Sequence, residues 1–164
     1  MTKNLKIYED IKDFINEDNI YLMYNSTETT DEKYIQEIYD QQREKYGFDE
    51  RELWDLDTTT ILWLYAHLKR FKEYEYAENL KGEYAHKYNI KIISKINNEY
   101  IYNEETKDFE YIEETLKIGN IIDIILEYFK SFLVNEEDYN DDIQNALGRE
   151  GMRLYGTILP SLWT

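Results

Sequence analysis

A single proline, Pro160, interrupts the 164-residue chain, and this scarcity of helix breakers constrains the fold more than any other feature. Proline removes a backbone donor and clashes with the preceding turn, so a chain almost free of it can build long helices. No internal repeat and no Pro- or Ser-rich linker divides the sequence. Apolar residues meanwhile recur at helical spacing along most of its length.

The first such stripe is Leu5, Tyr8, Ile11, Phe14 and Ile15, predicting a helix over 5–18. "IYLMYN" at 20–25 is a short strand or an extended connection. A second helix opens at Thr29, where Glu32 completes a capping box. It carries Tyr34, Ile35, Ile38 and Tyr39 and ends near Gly47. Asp49 and Glu52 repeat the capping spacing ahead of a short helix through "ERELW". Asp57 stands before a longer helix, its carboxylate placed to accept orphan amides. That helix sets Ile61, Leu64, Tyr65, Leu68 and Phe71 on one face, widened by Leu62 and Trp63, with Lys69, Arg70 and Lys72 on the polar side.

Beyond Gly82 the pattern changes. "NIKIISKINNEYIYNEETKDFEYIEE", from Asn89 to Glu114, is β-branched and aromatic, with a turn at Asn97-Asn98 and a polar break over 103–108. Alternation at Tyr100 and Tyr102, then Phe109 and Tyr111, predicts one or two hairpins. The overlapping "EYAHKYNIKIISKI" also reads as helix. Helix resumes at about Glu113 with a broad apolar face of Ile118, Ile121, Ile122, Ile125, Phe129, Phe132 and Leu133. A last helix from Asp142 ends at Pro160. Its Gly148, Gly151 and Gly156 each cost roughly 1 kcal/mol of helix stability, which points to close packing or local irregularity. The sum is a mainly α fold: a compact bundle of four to five helices with an inserted β-hairpin around 89–112, in one acidic domain spanning 1–164.

Charge and composition narrow the function. The net charge is −16, from 35 acids against 19 bases. Neutralising phosphate needs a basic field, so direct nucleic-acid binding is not expected, nor is an anionic membrane surface. A negative field favours solubility and steering toward basic partners. No signal sequence and no apolar run of roughly 18 residues is present, so a soluble intracellular protein is expected. The 17 tyrosines fit either an interface or the codon bias of a low-GC genome.

Catalytic raw material is sparse. There is no cysteine, and His67 and His86 lack the context of a triad; His67 sits inside a helix, as a structural histidine would. Glycine loops for phosphate and the spacings for zinc or calcium are missing, so no cofactor is expected. The remaining catalytic alternative is a carboxylate set for Mg²⁺: Glu113 and Glu114, preceded by Glu110, with Asp123 and Glu127 one turn apart. Its spacing is loosely similar to that of the all-α nucleotide pyrophosphohydrolases.

"LWDLDTTTILWLYAHLKRFKEY" resembles a family of small tailed-phage proteins with a W-x-L-D element followed by an LKRFKE-like helix. The matching positions are Trp54, Leu56, Asp57, Leu68, Lys69, Arg70, Phe71 and Lys72. "IIDIILEYF" and the ending "IQNALGREGMRLYGTILPSLW" are similar too. The chain departs from that pattern in having "YAHLKRF" where a proline is expected, and in its hairpin segment. The resemblance implies phage or prophage origin and no particular activity. With the charge, it leads to the expectation of a non-enzymatic interaction protein acting in the host cytoplasm: an acidic, DNA-mimic or anti-CRISPR-like inhibitor of a basic, nucleic-acid-binding host defence enzyme. The candidate contacts are Glu99, Tyr100, Tyr102, Glu104, Glu105, Asp108 and Glu110; a solvated edge explains the same acids more simply. A virion structural or assembly factor is the other expectation outside enzymology. The sequence leaves the oligomeric state open.

Overall fold

A computed structural model describes residues 33–46, 49–53, 56–72, 80–133 and 141–162. The expected helix over 5–18, the segment 20–25 and the Thr29 capping box lie outside these. The chain divides into two compact units, Met1–Ala66 with Leu133–Asn135, and His67–Phe132 with Glu136–Thr164.

In the first unit, α1 (Lys33–Tyr46) ends in Arg43 and Lys45, cations that suit the negative end of a helix dipole. A short 3-10 turn (Glu50–Leu53) follows. Its start is held by Gln42, whose side-chain oxygen accepts the Glu50 N–H at 2.9 Å. Asp49 is fully buried and accepts a hydrogen bond from Arg43 Nε at 2.6 Å, an ion pair that capping logic alone did not foresee. The next helix, α2 (Leu56–Phe71), begins one residue before Asp57 and belongs to the first unit as far as Ala66. The Asp57 carboxylate accepts the Thr58 N–H at 3.0 Å. Ile61, Leu64, Tyr65 and Leu68 are buried as the periodicity predicts, whereas Trp63 is 52% exposed and does not widen the core face.

The second unit overturns the expected helical bundle. Among the described residues the chain has four α-helices together with three small antiparallel sheets, a mixed α/β fold. Strand β1 (Lys87–Ile93) pairs along its whole length with β6 (Tyr111–Lys117). Between them β2 (Lys95–Ile96) pairs with β3 (Glu99–Tyr100), and β4 (Tyr102–Asn103) with β5 (Asp108–Phe109). The helix expected from Glu113 therefore starts only at Ile118, because Glu113 and Glu114 are ladder residues opposite Lys91 and Ile90. The β-branched run "IKII" finds its partner in β6, and pairing overrides the local ambiguity between strand and helix.

The three pairs meet at one point. Ser94 N–H donates to Glu110 C=O (2.8 Å), Glu110 N–H to Ile101 C=O (3.0 Å), and Ile101 N–H to Ser94 C=O (3.1 Å). This closed ring satisfies the backbone where three two-stranded arms diverge. The first arm turns at Asn97 (φ 53°) and Asn98 (φ 68°), the left-handed pair of a two-residue hairpin, which asparagine tolerates best after glycine. In the second arm the Asn103 side chain accepts the Glu105 and Thr106 N–H groups at 2.9 and 3.1 Å.

Strand β6 runs directly into α3 (Ile118–Leu133), and α4 (Asp141–Ile158) is followed by a 3-10 turn at Leu159–Ser161 holding Pro160. The core draws Ile118, Ile121, Ile122, Ile125, Tyr128 and Phe129 from α3 and Leu147, Leu154 and Ile158 from α4, all at most 2% exposed. Each such side chain contributes about 1.5–3 kcal/mol on burial. No helix among the described residues is long and apolar enough to cross a membrane.

Candidate interaction surface

The seven candidate contact residues separate into a framework and an outward face. Tyr100 and Tyr102 belong to the framework. Tyr100 packs edge-on against Tyr128 (centroids 5.7 Å apart) and Phe109 (6.1 Å), and Tyr102 against Phe109 at 5.0 Å. The Tyr100 hydroxyl donates to Glu127 at 2.8 Å, and Lys95 lies over its ring while pairing with the same carboxylate. Burial, reinforced by the charge of Glu127, pushes the Tyr100 hydroxyl far above its ordinary value. A tyrosine so engaged anchors the arms to α3 and offers little to a partner.

The acids point the other way. Glu99, Glu104, Glu105, Asp108 and Glu110 are all exposed, as is Glu113 on β6. Asp108 accepts the Phe109 N–H at 2.8 Å, and Glu104 pairs with Lys107 at 3.6 Å. Lys107 also donates to Asp142 of α4 at 2.9 Å, which raises its pKa and ties the second arm to that helix. Among the described residues, the carboxylates of Glu99, Glu105, Glu110 and Glu113 have no side-chain partner.

The metal alternative places Glu113 and Glu114 on β6 and Asp123 and Glu127 on α3. Asp123 is clasped by Lys72 on one oxygen and Lys81 on the other. Partial burial pushes its carboxyl up, but the two lysine hydrogen bonds outweigh this and hold it below its ordinary value. Glu127 is taken by Lys95 and Tyr100. The four do not gather, and no group of three or more metal-ligating side chains occurs among the described residues.

Two features were missed in the sequence. One is a shallow recess of about 260 Å³ beside the sheet, lined by the apolar Ile92, Ile112 and Ile124 and by the charged Lys95 and Glu127. The other concerns the sheet edges. Residues 88, 90 and 92 face β6, a parity shown by the flanking bonds Ser94 N–H to Glu110 C=O and Ile118 N–H to His86 C=O. The outward groups of β1 are covered by helix side chains: Ile93 N–H donates to the Tyr128 hydroxyl at 3.0 Å, and Arg153 donates to Lys91 C=O at 2.6 Å. The outward backbone groups of β6, at Tyr111, Glu113 and Thr115, meet no backbone partner among the described residues. Alternation in "KYNIKII" and "YIEETLK" was the available signal, but it pairs strands only once their register is known.

Comparison with protein-family models finds no match to this chain, and comparisons with curated proteins and with solved structures find none either.

Proposed function

We propose that this protein is a phage-encoded, non-enzymatic interaction module that docks its acidic arms onto a basic, nucleic-acid-binding host protein and inhibits it by standing in for phosphate. The observation that carries this reading is the separation of roles within 99–113. Tyr100 holds the arms to α3 and Tyr102 packs on Phe109 within the second arm, while Glu99, Glu105, Glu110 and Glu113 stay exposed and unengaged among the described residues. Carboxylates held on a rigid frame dock at lower entropic cost than the same charges on a loose tail. The net charge of −16 adds long-range steering toward a basic groove. The resemblance around Trp54 to Lys72 supports a phage setting, and a target of this kind places the action in the host cytoplasm.

The test is capture of heparin-purified host proteins on the immobilised chain, with elution by duplex DNA. The expected result is capture that weakens steeply with salt, is displaced by DNA, and is lost when Glu99, Glu105, Glu110 and Glu113 are all replaced by Gln. Capture indifferent to DNA and to the four substitutions would refute the reading, and co-purification with virions would favour an assembly role.

A further inference from the structure

We propose that the outer edge of β6 accepts an added β-strand from its partner, and that this strand alternates Lys or Arg with β-branched residues. The inference rests on the reading of the protein as an acidic docking module and names how docking occurs. Its starting point is the asymmetry of the sheet: β1 has its outer edge closed by Tyr128 and Arg153, and β6 has no such cover among the described residues. An uncovered edge presents donors and acceptors at the spacing of the next strand, the basis of recognition by strand addition.

Charge selects the occupant. Glu113 supplies the negative charge on one face of β6, with Asp108 and Glu110 on the approach to the strand, and Glu114 falls on the opposite face with Ile112. Opposing them are Lys91, across from Glu113 in the register, and Lys117, whose ammonium is turned to the Lys81 carbonyl at 3.0 Å. A second copy fits poorly. Full-length antiparallel self-pairing of Tyr111–Lys117 centres on Glu114 and sets that carboxylate against its own image, an unfavourable cross-strand pair. A basic strand instead places cations beside Glu113 on one face. Its alternate, β-branched residues fall on the face of Ile112, which is 43% exposed and opens onto the recess with Ile92 and Ile124. Alternation of the two residue types follows from the period of a strand.

The probe is a fluorescent octapeptide of alternating lysine and valine, compared with its fully N-methylated counterpart, which keeps the charges but has no backbone donors. Anisotropy should show the N-methylated peptide binding about tenfold or more weakly, as expected for loss of several edge hydrogen bonds. The unmodified peptide should slow amide exchange at Tyr111, Glu113 and Thr115. Thr115→Pro should weaken the unmodified peptide similarly, because proline is tolerated where an edge N–H faces solvent and the β1 ladder does not use that group. Equal affinity for both peptides overturns strand addition while leaving acidic docking intact. No binding of the unmodified peptide overturns it as well, and so does slow exchange of these amides in a symmetric dimer without peptide. Should Thr115→Pro fail to fold, the comparison of the two peptides on the unaltered protein decides alone.

Discussion

Gly151 of α4 packs directly against the ring of Phe129 in α3: a Cβ built on Gly151 would lie 2.6 Å from Phe129 Cε1 and 2.7 Å from its Cδ1. Phe129 is fully buried, so its ring has nowhere to retreat. The glycine's helical penalty is therefore offset by a closer approach of the two helices.

Gly151→Ala should accordingly destabilise the protein by about 1–2 kcal/mol, an overpacking cost reduced by better helix propensity. Gly156→Ala, where nothing lies within 4 Å of the new Cβ, should stabilise it by roughly 0.5–1 kcal/mol. Urea denaturation of both variants checks the opposite signs. A stabilised Gly151→Ala would mean that α3 and α4 are not in contact there.

Tyr128→Phe should cost about 1–3 kcal/mol, because it leaves the Ile93 N–H buried without an acceptor. Burial also pushes the Tyr128 hydroxyl up to about 12. A folded-state value above the unfolded one makes stability fall as pH rises from about 10 through that folded value. The unaltered protein should lose urea resistance over this alkaline window more steeply than Tyr128→Phe does.

The acid limb should depend on Asp123, whose carboxyl is held low against burial by Lys72 and Lys81. A depressed folded value means the stabilisation is present above the ordinary carboxylate range and is lost as pH falls through the folded value. The urea midpoint of Asp123→Asn should therefore change less than that of the unaltered protein below about pH 4. Parallel acid limbs would exclude the two-lysine clasp as a stabilising contact.

Arg43→Ala removes the guanidinium from the fully buried Asp49 carboxylate and should destabilise the first unit by about 3 kcal/mol. The double substitution Arg43→Met with Asp49→Leu should recover part of that loss, since a packed apolar pair removes the buried charge together with its guanidinium. Thermal unfolding of the two variants distinguishes this from a simple loss of packing, which the double substitution would not repair.

Local chemistry in the sequence determined a large part of the molecule. The stripe from Ile61 to Leu68, the broad apolar face of α3, the stop at Pro160 and the left-handed turn at Asn97-Asn98 all depend on neighbours within a few residues, where period and turn propensity act directly. Long-range contact decided the rest. Glu113 and Glu114 follow the strand pattern because β6 pairs with β1, at a register that no local period specifies. Tyr100 became a framework residue because α3 brings Tyr128 and Glu127 beneath it. Asp123 and Glu127 share a helix face as their spacing required, yet Lys72, Lys81 and Lys95 arrive from other segments to occupy them. Among the described residues the two edges of one small sheet likewise differ because Tyr128 and Arg153 reach β1. Each of these outcomes turns on which distant group fills a hydrogen bond or neutralises a charge, and that is settled only when the chain has folded.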